Sequence, residues 1–291
     1  MTETKAIIPE ENKQTASLSP LKLSYESMER ANGYATVMFH HMLPLYQVSP
    51  ITFFRDCGPI VNFLFSMVYE ADSELDKARS KAATFCGTAP AEKRIGQIIT
   101  LLKELELYDS SVQRELDNTL RYFELTNTMM YEGIVTPKLV KEGLDVIPGD
   151  VVVAHKVCHR ILNIPCDAAR LKAIHSWVVL WVVEADLIMY ADSVAEDFFN
   201  FYRMFVKLYG QEAPQYMEQE RTHRIEALQR AVAGLPEHEQ ESFLQIMAAQ
   251  NQLNYDYFGP MGLVDLPEKI AISDSQFPYR PVIIPEPIQE K

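Results

Sequence analysis

Between Ser176-Trp177 and Tyr209-Gly210 the chain is strongly apolar, yet charged side chains recur in it at helical spacing. At about 100° per residue, Trp181, Ala185, Ile188, Asp192, Glu196, Phe199 and Arg203 fall on one narrow stripe, with Lys207 beside it. Asn200 lies one turn beyond Glu196 and extends the polar run. A second acidic pair stands upstream in Tyr69-Glu-Ala-Asp-Ser-Glu-Leu-Asp76, where Val61, Phe65, Val68, Asp72 and Asp76 trace one face while Glu70, Glu74 and Lys77 take the other. A carboxylate set between apolar turns is seldom unpaired, because burying a lone charge is too costly. Two apolar helices that each end in an inward acidic pair suggest a divalent-cation site in a helical cavity, and oxygen donors suit Mg²⁺. The bland alternatives are a solvated helix end near Lys77 and Arg79 for the first pair and simple pairing with Arg203 for the second.

Other metal chemistries have less to draw on. Glu220-Arg-Thr-His223 has the E-x-x-H spacing of helical di-iron proteins, but such a site needs two such motifs and further carboxylates. His155 and His159 share a helix face and could join Asp192 or Glu196 around a metal, although core or surface histidines are the commoner outcome. His40 and His41 are adjacent and point to different sides. Cys57, Cys86, Cys158 and Cys166 form no C-x-x-C and no zinc spacing, so they read as reduced, mostly buried residues.

Tyr190-Ala-Asp192-Ser-Val-Ala-Glu196-Asp197-Phe-Phe-Asn-Phe-Tyr202 resembles the second aspartate-rich motif of squalene and phytoene synthases, and loosely the Asn/Ser/Glu triad of class I terpene synthases. Asp72-Ser-Glu-Leu-Asp76 resembles their first motif, and the likeness spans roughly residues 60–210. It departs from the family in lacking a contiguous Asp-Asp-x-x-Asp, and Ile188-Met189 stand where the triad would open with Asn-Asp. The resemblance implies Mg²⁺ held against the diphosphate of an isoprenyl substrate, with an aromatic cavity shielding the carbocation left by ionisation. On that reading Asp72, Asp76, Asp192 and Glu196 hold metal and Asn200 is a further oxygen donor. Arg203, Lys207 and Arg160 supply catalytic positive charge, and Arg203, Lys207 and Arg280 meet the diphosphate, stabilising charge as it develops. The alternatives are a helical non-heme iron oxygenase or oxidase and a non-catalytic helical interaction protein.

The elements that would position these residues are all helical. At 291 residues, 47% hydrophobic and with 11 glycines, the chain can build a large core of regular structure. Residues 1–20 are polar and aperiodic and read as a disordered arm; an all-α bundle with a central cavity follows over 21–262, and 263–291 form an extended proline-rich tail. Helices are expected from Tyr25 to about Pro44, from Ser49-Pro50, from Cys57 to about Phe85, over 91–108 and from Ser110 to Tyr131. A short one follows between Pro137 and Pro148, and another is capped by Asp167. Asp150–Arg160 is valine-rich, yet helix is preferred because no partner strand exists. The long helical stretch after Asp167 is expected to bend or break before Tyr209, with polar helices over 211–233 and 236–253 beyond it. A net charge of −13 without basic clusters argues against nucleic acid. The start of the chain lacks a signal-peptide pattern, and Glu184 and Asp186 interrupt the longest apolar run short of the roughly 20 residues a membrane helix needs. A soluble, cytoplasmic protein is expected; a homodimer is allowed by the sequence but not encoded in it.

Overall fold

Six helices begin where a side chain takes up an otherwise unpaired backbone N–H, the main local reason that these segments start where they do. Ser24 accepts from Ser27 N–H ahead of α1 (Tyr25–Tyr46), and Ser49 accepts from Thr52 N–H ahead of α2 (Pro50–Asp56). α3 (Gly58–Lys81) and α4 (Ala89–Glu104) follow. Asp109 caps α5 (Ser110–Met130), Thr136 caps α6 (Pro137–Val146) and Asp167 caps α8 (Ala168–Ile188). Between them lies α7 (Gly149–Ile161); after α8 come the short α9 (Tyr190–Ala195), α10 (Phe201–Tyr209, capped by Asn200) and α11 (Ala213–Ala233). The computed structural model describes residues 22–81, 87–245, 247 and 282–289, and among them the fold is all-α with no strand. The expected arm over 1–20, Cys86 and Arg280 lie outside the described residues, as do the side chains of Arg79, His40 and His41.

Several boundaries move from those expected. α1 runs through Pro44 to Tyr46 and stops only where Gln47 turns left-handed at φ 53°. The valine-rich segment is helical because it is enclosed on every side: residues 151–159 of α7 are all buried. No single helix among the described residues is long and apolar enough to cross a membrane. Of the tail expected over 263–291, residues 263–281 lie outside the described residues; 283–289 are without regular structure, and the segment from Val282 is fixed in place. Arg221 donates to the Val282 carbonyl, Tyr202 donates to that of Pro285, and Ile288 N–H donates to the Tyr190 hydroxyl.

α1 lies antiparallel on α3. Its start meets Glu70, which accepts from Ser24 N–H and Oγ, both at 2.7 Å, while its end packs Tyr46 on Phe53 near the start of α3. α8 runs in the same direction as α3: Val61 and Phe65 share a core cluster with Ile174, Trp177 and Val178. α11 packs along α8, and Arg170 near the start of α8 clasps Glu239 of a helical stretch over 237–245 at 2.7 and 3.0 Å.

α7 sits unusually close to α5. A Cβ on Gly149 would lie 2.6 Å from the Glu115 carbonyl oxygen and 2.8 Å from Thr119 Oγ1, so only glycine permits the approach. Lys156 locks the pair further along, donating to Glu115 and to the Ser111 carbonyl, both at 2.8 Å. Gly149→Ala is therefore expected to destabilise the protein by about 1–3 kcal/mol. Gly33→Ala, where nothing lies within 4 Å of the added methyl in mid-helix, should stabilise it by up to about 1 kcal/mol. Urea unfolding of the two variants checks the opposite signs.

Candidate functional site: an aromatic cavity with an acidic wall

Helices α1, α3, α5, α7 and α8 line a half-open cavity of about 230 Å³. Tyr34, Tyr69, Tyr122 and Trp181 give it an aromatic lining, and Arg30, Asp72 and Asp150 are its charged groups. The Tyr34 ring packs 5.4 Å from Trp181, 6.4 Å from Tyr69 and 4.7 Å from Phe65, which ties α1 to α3 and α8 through one side chain. Arg30 reaches across to α3, its guanidinium 4.4 Å from the centre of the Tyr69 ring and 3.4 Å from Asp72 Oδ2. This half-exposed pair forms the polar rim of the cavity. Burial, reinforced by the negative charge of Asp150, holds the Tyr34 phenol well above its usual range, so it stays neutral. Burial also lifts the Asp150 carboxyl to about 6, against the opposing pull of its hydrogen bond from Val151 N–H.

Of the acidic residues singled out by spacing, Asp72 lines this cavity and Asp76 follows one turn further along α3, half-buried. Because α3 and α8 are parallel, Asp192 and Glu196 lie toward the same end of the bundle, but both are exposed. The single stripe is not a single helix. α8 stops at Ile188, α9 covers Tyr190–Ala195, and the chain reverses through Asp197, left-handed at φ 57°, before α10 begins at Phe201. Asn200 turns inward at this reversal: its Oδ1 accepts from Arg203 N–H at 3.0 Å and its Nδ2 donates to the Asp186 carbonyl at 2.8 Å, so the amide is committed to the backbone.

The candidate cations are similarly occupied. Arg203 is buried and spans the reversal, donating to Asp197 at 2.7 Å and to the Phe198 carbonyl at 3.0 Å. Arg160 pairs with Asp109, the α5 cap, on another part of the surface. Asp109 is held down to about 2: although its partial burial opposes this, backbone N–H bonds from Val112 and Ser111 and the charge of Arg160 outweigh it. Lys207 is exposed on α10. Among the described residues no group of three or more His, Cys, Asp or Glu side chains is arranged to hold a metal ion. With Asp72 paired to Arg30 and Asn200 committed, the donors do not fit a preassembled Mg²⁺ cluster.

The histidines point elsewhere. His155 meets the Tyr46 hydroxyl through Nδ1, and Tyr46 also packs 5.2 Å from His159. Both lie toward the end of α7, against the end of α1 and the start of α8, so they share no site with Asp192 on α9 or Glu196 just beyond it. Burial drives His155 down to about 3 and His159 to about 4, leaving both neutral. Glu220 accepts from Arg224 at 2.6 Å, and His223 stands in an open surface groove with Glu218 and Glu226.

Arg30, Tyr34, Asp150 and Asp186 were not signalled by spacing. Asp186 would have looked like a simple interruption of an apolar run, but it accepts from Phe201 N–H at 2.5 Å and so organises the reversal. No family model matches the chain, and no curated protein or solved structure is significantly similar to it. The fold and the cavity therefore define its class on their own terms: an all-α bundle enclosing an aromatic pocket with an acidic wall.

Burial lifts the Asp186 carboxyl to about 7, well above its ordinary 3.8. The folded state thus holds a proton that the unfolded chain has already released, and stability falls as pH rises through that window. His155 and His159, neutral in the fold, act in the opposite sense below the usual histidine pKa of about 6.5. Asp186→Asn keeps an acceptor for Phe201 N–H and removes the titration. Relative to wild type it should gain about 2 kcal/mol between about pH 5 and pH 8, measured by denaturant unfolding at each pH.

Proposed function

We propose that this chain binds an isoprenyl diphosphate and ionises it, with the prenyl chain in the cavity and the diphosphate at the Arg30 rim. The observation that carries this reading is the conjunction of an aromatic-lined apolar cavity and a charged mouth at the acid-bearing end of α3. An allylic cation is unstable in water and is favoured by ring faces in a dry pocket. Tyr34, Tyr69, Tyr122 and Trp181 supply those faces. Arg30 offers the diphosphate a charge-assisted donor as negative charge grows on the leaving oxygen. Its existing contact with Asp72 holds the guanidinium over the mouth and gives it a partner to exchange for substrate. The Asp192–Glu196 segment joins the same end, since Phe199 in the reversal packs its ring 6.2 Å from Tyr122 in the cavity wall.

The test is incubation with geranyl, farnesyl and geranylgeranyl diphosphates, with and without Mg²⁺, following pyrophosphate release and thermal stabilisation. Arg30→Ala should weaken diphosphate binding by about tenfold or more, as loss of a charged hydrogen bond requires. Trp181→Ala should weaken binding of the prenyl portion, an effect that persists with an uncharged prenyl alcohol as ligand. Neither turnover nor stabilisation by any of the three substrates sinks the proposal; stabilisation without pyrophosphate release would leave a non-catalytic prenyl-binding protein.

A further inference from the structure

Asp150 has no role in the resemblance to the prenyl synthases, yet it is placed as deliberately as any side chain in the cavity. It stands in the first turn of α7, and the close approach of α7 to α5 that Gly149 permits sets its position. Its carboxylate lines the same wall as Tyr34, Tyr69, Tyr122 and Trp181. Among the described residues it forms no ion pair; its Oδ1 accepts from the neighbouring Val151 N–H at 2.7 Å. Asp72, by contrast, is engaged by Arg30 at the rim. A carboxylate in the wall of an aromatic pocket, hydrogen-bonded on one oxygen and in no ion pair among the described residues, is suited to meet a positive centre inside the cavity.

We propose that Asp150 is the base that ends the reaction by removing a proton from the carbocation, an inference that rests on the isoprenyl diphosphate reading. Ionisation breaks the allylic C–O bond, and the electron pair leaves with the diphosphate. A C–H bond next to the cationic carbon then gives its proton to an Asp150 oxygen, and its electron pair becomes the new C=C bond. The product is an olefin with one more double bond and Asp150 as the neutral acid, which returns the proton to departing diphosphate or to water. The groups facing Asp150 across the cavity are Arg30 and Tyr34 from α1, Tyr69 and Asp72 from α3, Thr119 and Tyr122 from α5, and Trp181 from α8. Tyr34 and Tyr69 are held as neutral phenols by burial, and Asp72 is held at the rim by Arg30, which leaves Asp150 as the remaining carboxylate acceptor. A carboxyl that titrates near 6 is ionised at neutral pH and ready for this role.

The experiment compares wild type, Asp150→Asn and Asp150→Glu, each confirmed folded by its melting transition, with geranyl and farnesyl diphosphates. Pyrophosphate release and the ratio of olefin to alcohol products are measured together. Asp150→Asn should still release pyrophosphate while the olefin-to-alcohol ratio falls by at least about tenfold, since a positioned base contributes a factor of that order or more. Water then captures the cation that the base no longer deprotonates. Asp150→Glu keeps a carboxylate with a different reach and should restore olefin with a shifted double-bond position. Pyrophosphate release with an unchanged product ratio in Asp150→Asn overturns the role of Asp150 alone. Should Asp150→Asn fail to fold, an Asp150→Glu product mixture identical to wild type overturns it instead. Absence of pyrophosphate release from the wild type removes the isoprenyl reading, and the base with it.

Discussion

The reversal between α8 and α10 is the constraint on which the rest of the architecture depends. Asp186 supplies its carboxylate to Phe201 N–H and its carbonyl to the Asn200 amide, and Asn200 in turn accepts from Arg203 N–H. Arg203 closes the turn from the other side through Asp197 and the Phe198 carbonyl. Without these contacts the apolar run would continue as one rod. With them, α10 folds back to pack on α6, α8 and α11. The second core, around Tyr190, Phe201, Tyr202 and Met217, forms only because the direction changes here.

That solution has an electrostatic consequence. The reversal and the cavity each enclose a carboxyl group, Asp186 and Asp150, in surroundings where the charged form is poorly solvated. At the other end of α7, His155 and His159 are enclosed as neutral rings. The bundle thus tolerates polar groups inside by suppressing or softening their charge rather than by pairing every one with an opposite ion. The buried cations, by contrast, are paired: Lys156 with Glu115, Arg170 with Glu239, Arg94 with Glu74, Arg203 with Asp197 and Arg224 with Glu220 and Asp145, contacts that bind elements together instead of facing the cavity.

The helices were largely legible in the chain, since Ser49-Pro50 and Asp167 carry start signals that depend only on their neighbours. Even the valine-rich α7 followed from the absence of strand partners. The reversal was legible only as an expected bend, because helical periodicity counts residues and does not register direction. Asn200 is the instructive case: an amide that could donate oxygen to a metal is equally suited to cap a helix, and spacing does not separate the two. The cavity was harder still. Arg30 meets Asp72 across 42 residues, and Gly149 punctuates the sequence like a turn glycine although its value is the contact it allows with Glu115 on another helix. Such pairings are properties of packing.

The docked segment over 282–289 gives the end of the chain a structural share larger than its length suggests. Ile288 reaches back 98 residues to the Tyr190 hydroxyl, and Val282 and Pro285 present carbonyls to Arg221 and Tyr202. These contacts fasten three separate elements, α9, α10 and α11, with one strand of backbone. Residues near the C-terminus therefore act as a buckle: shortening the chain there would take one hydrogen-bond partner from each of three interior side chains, and the loss would be felt at the reversal that shapes the bundle rather than at the terminus itself.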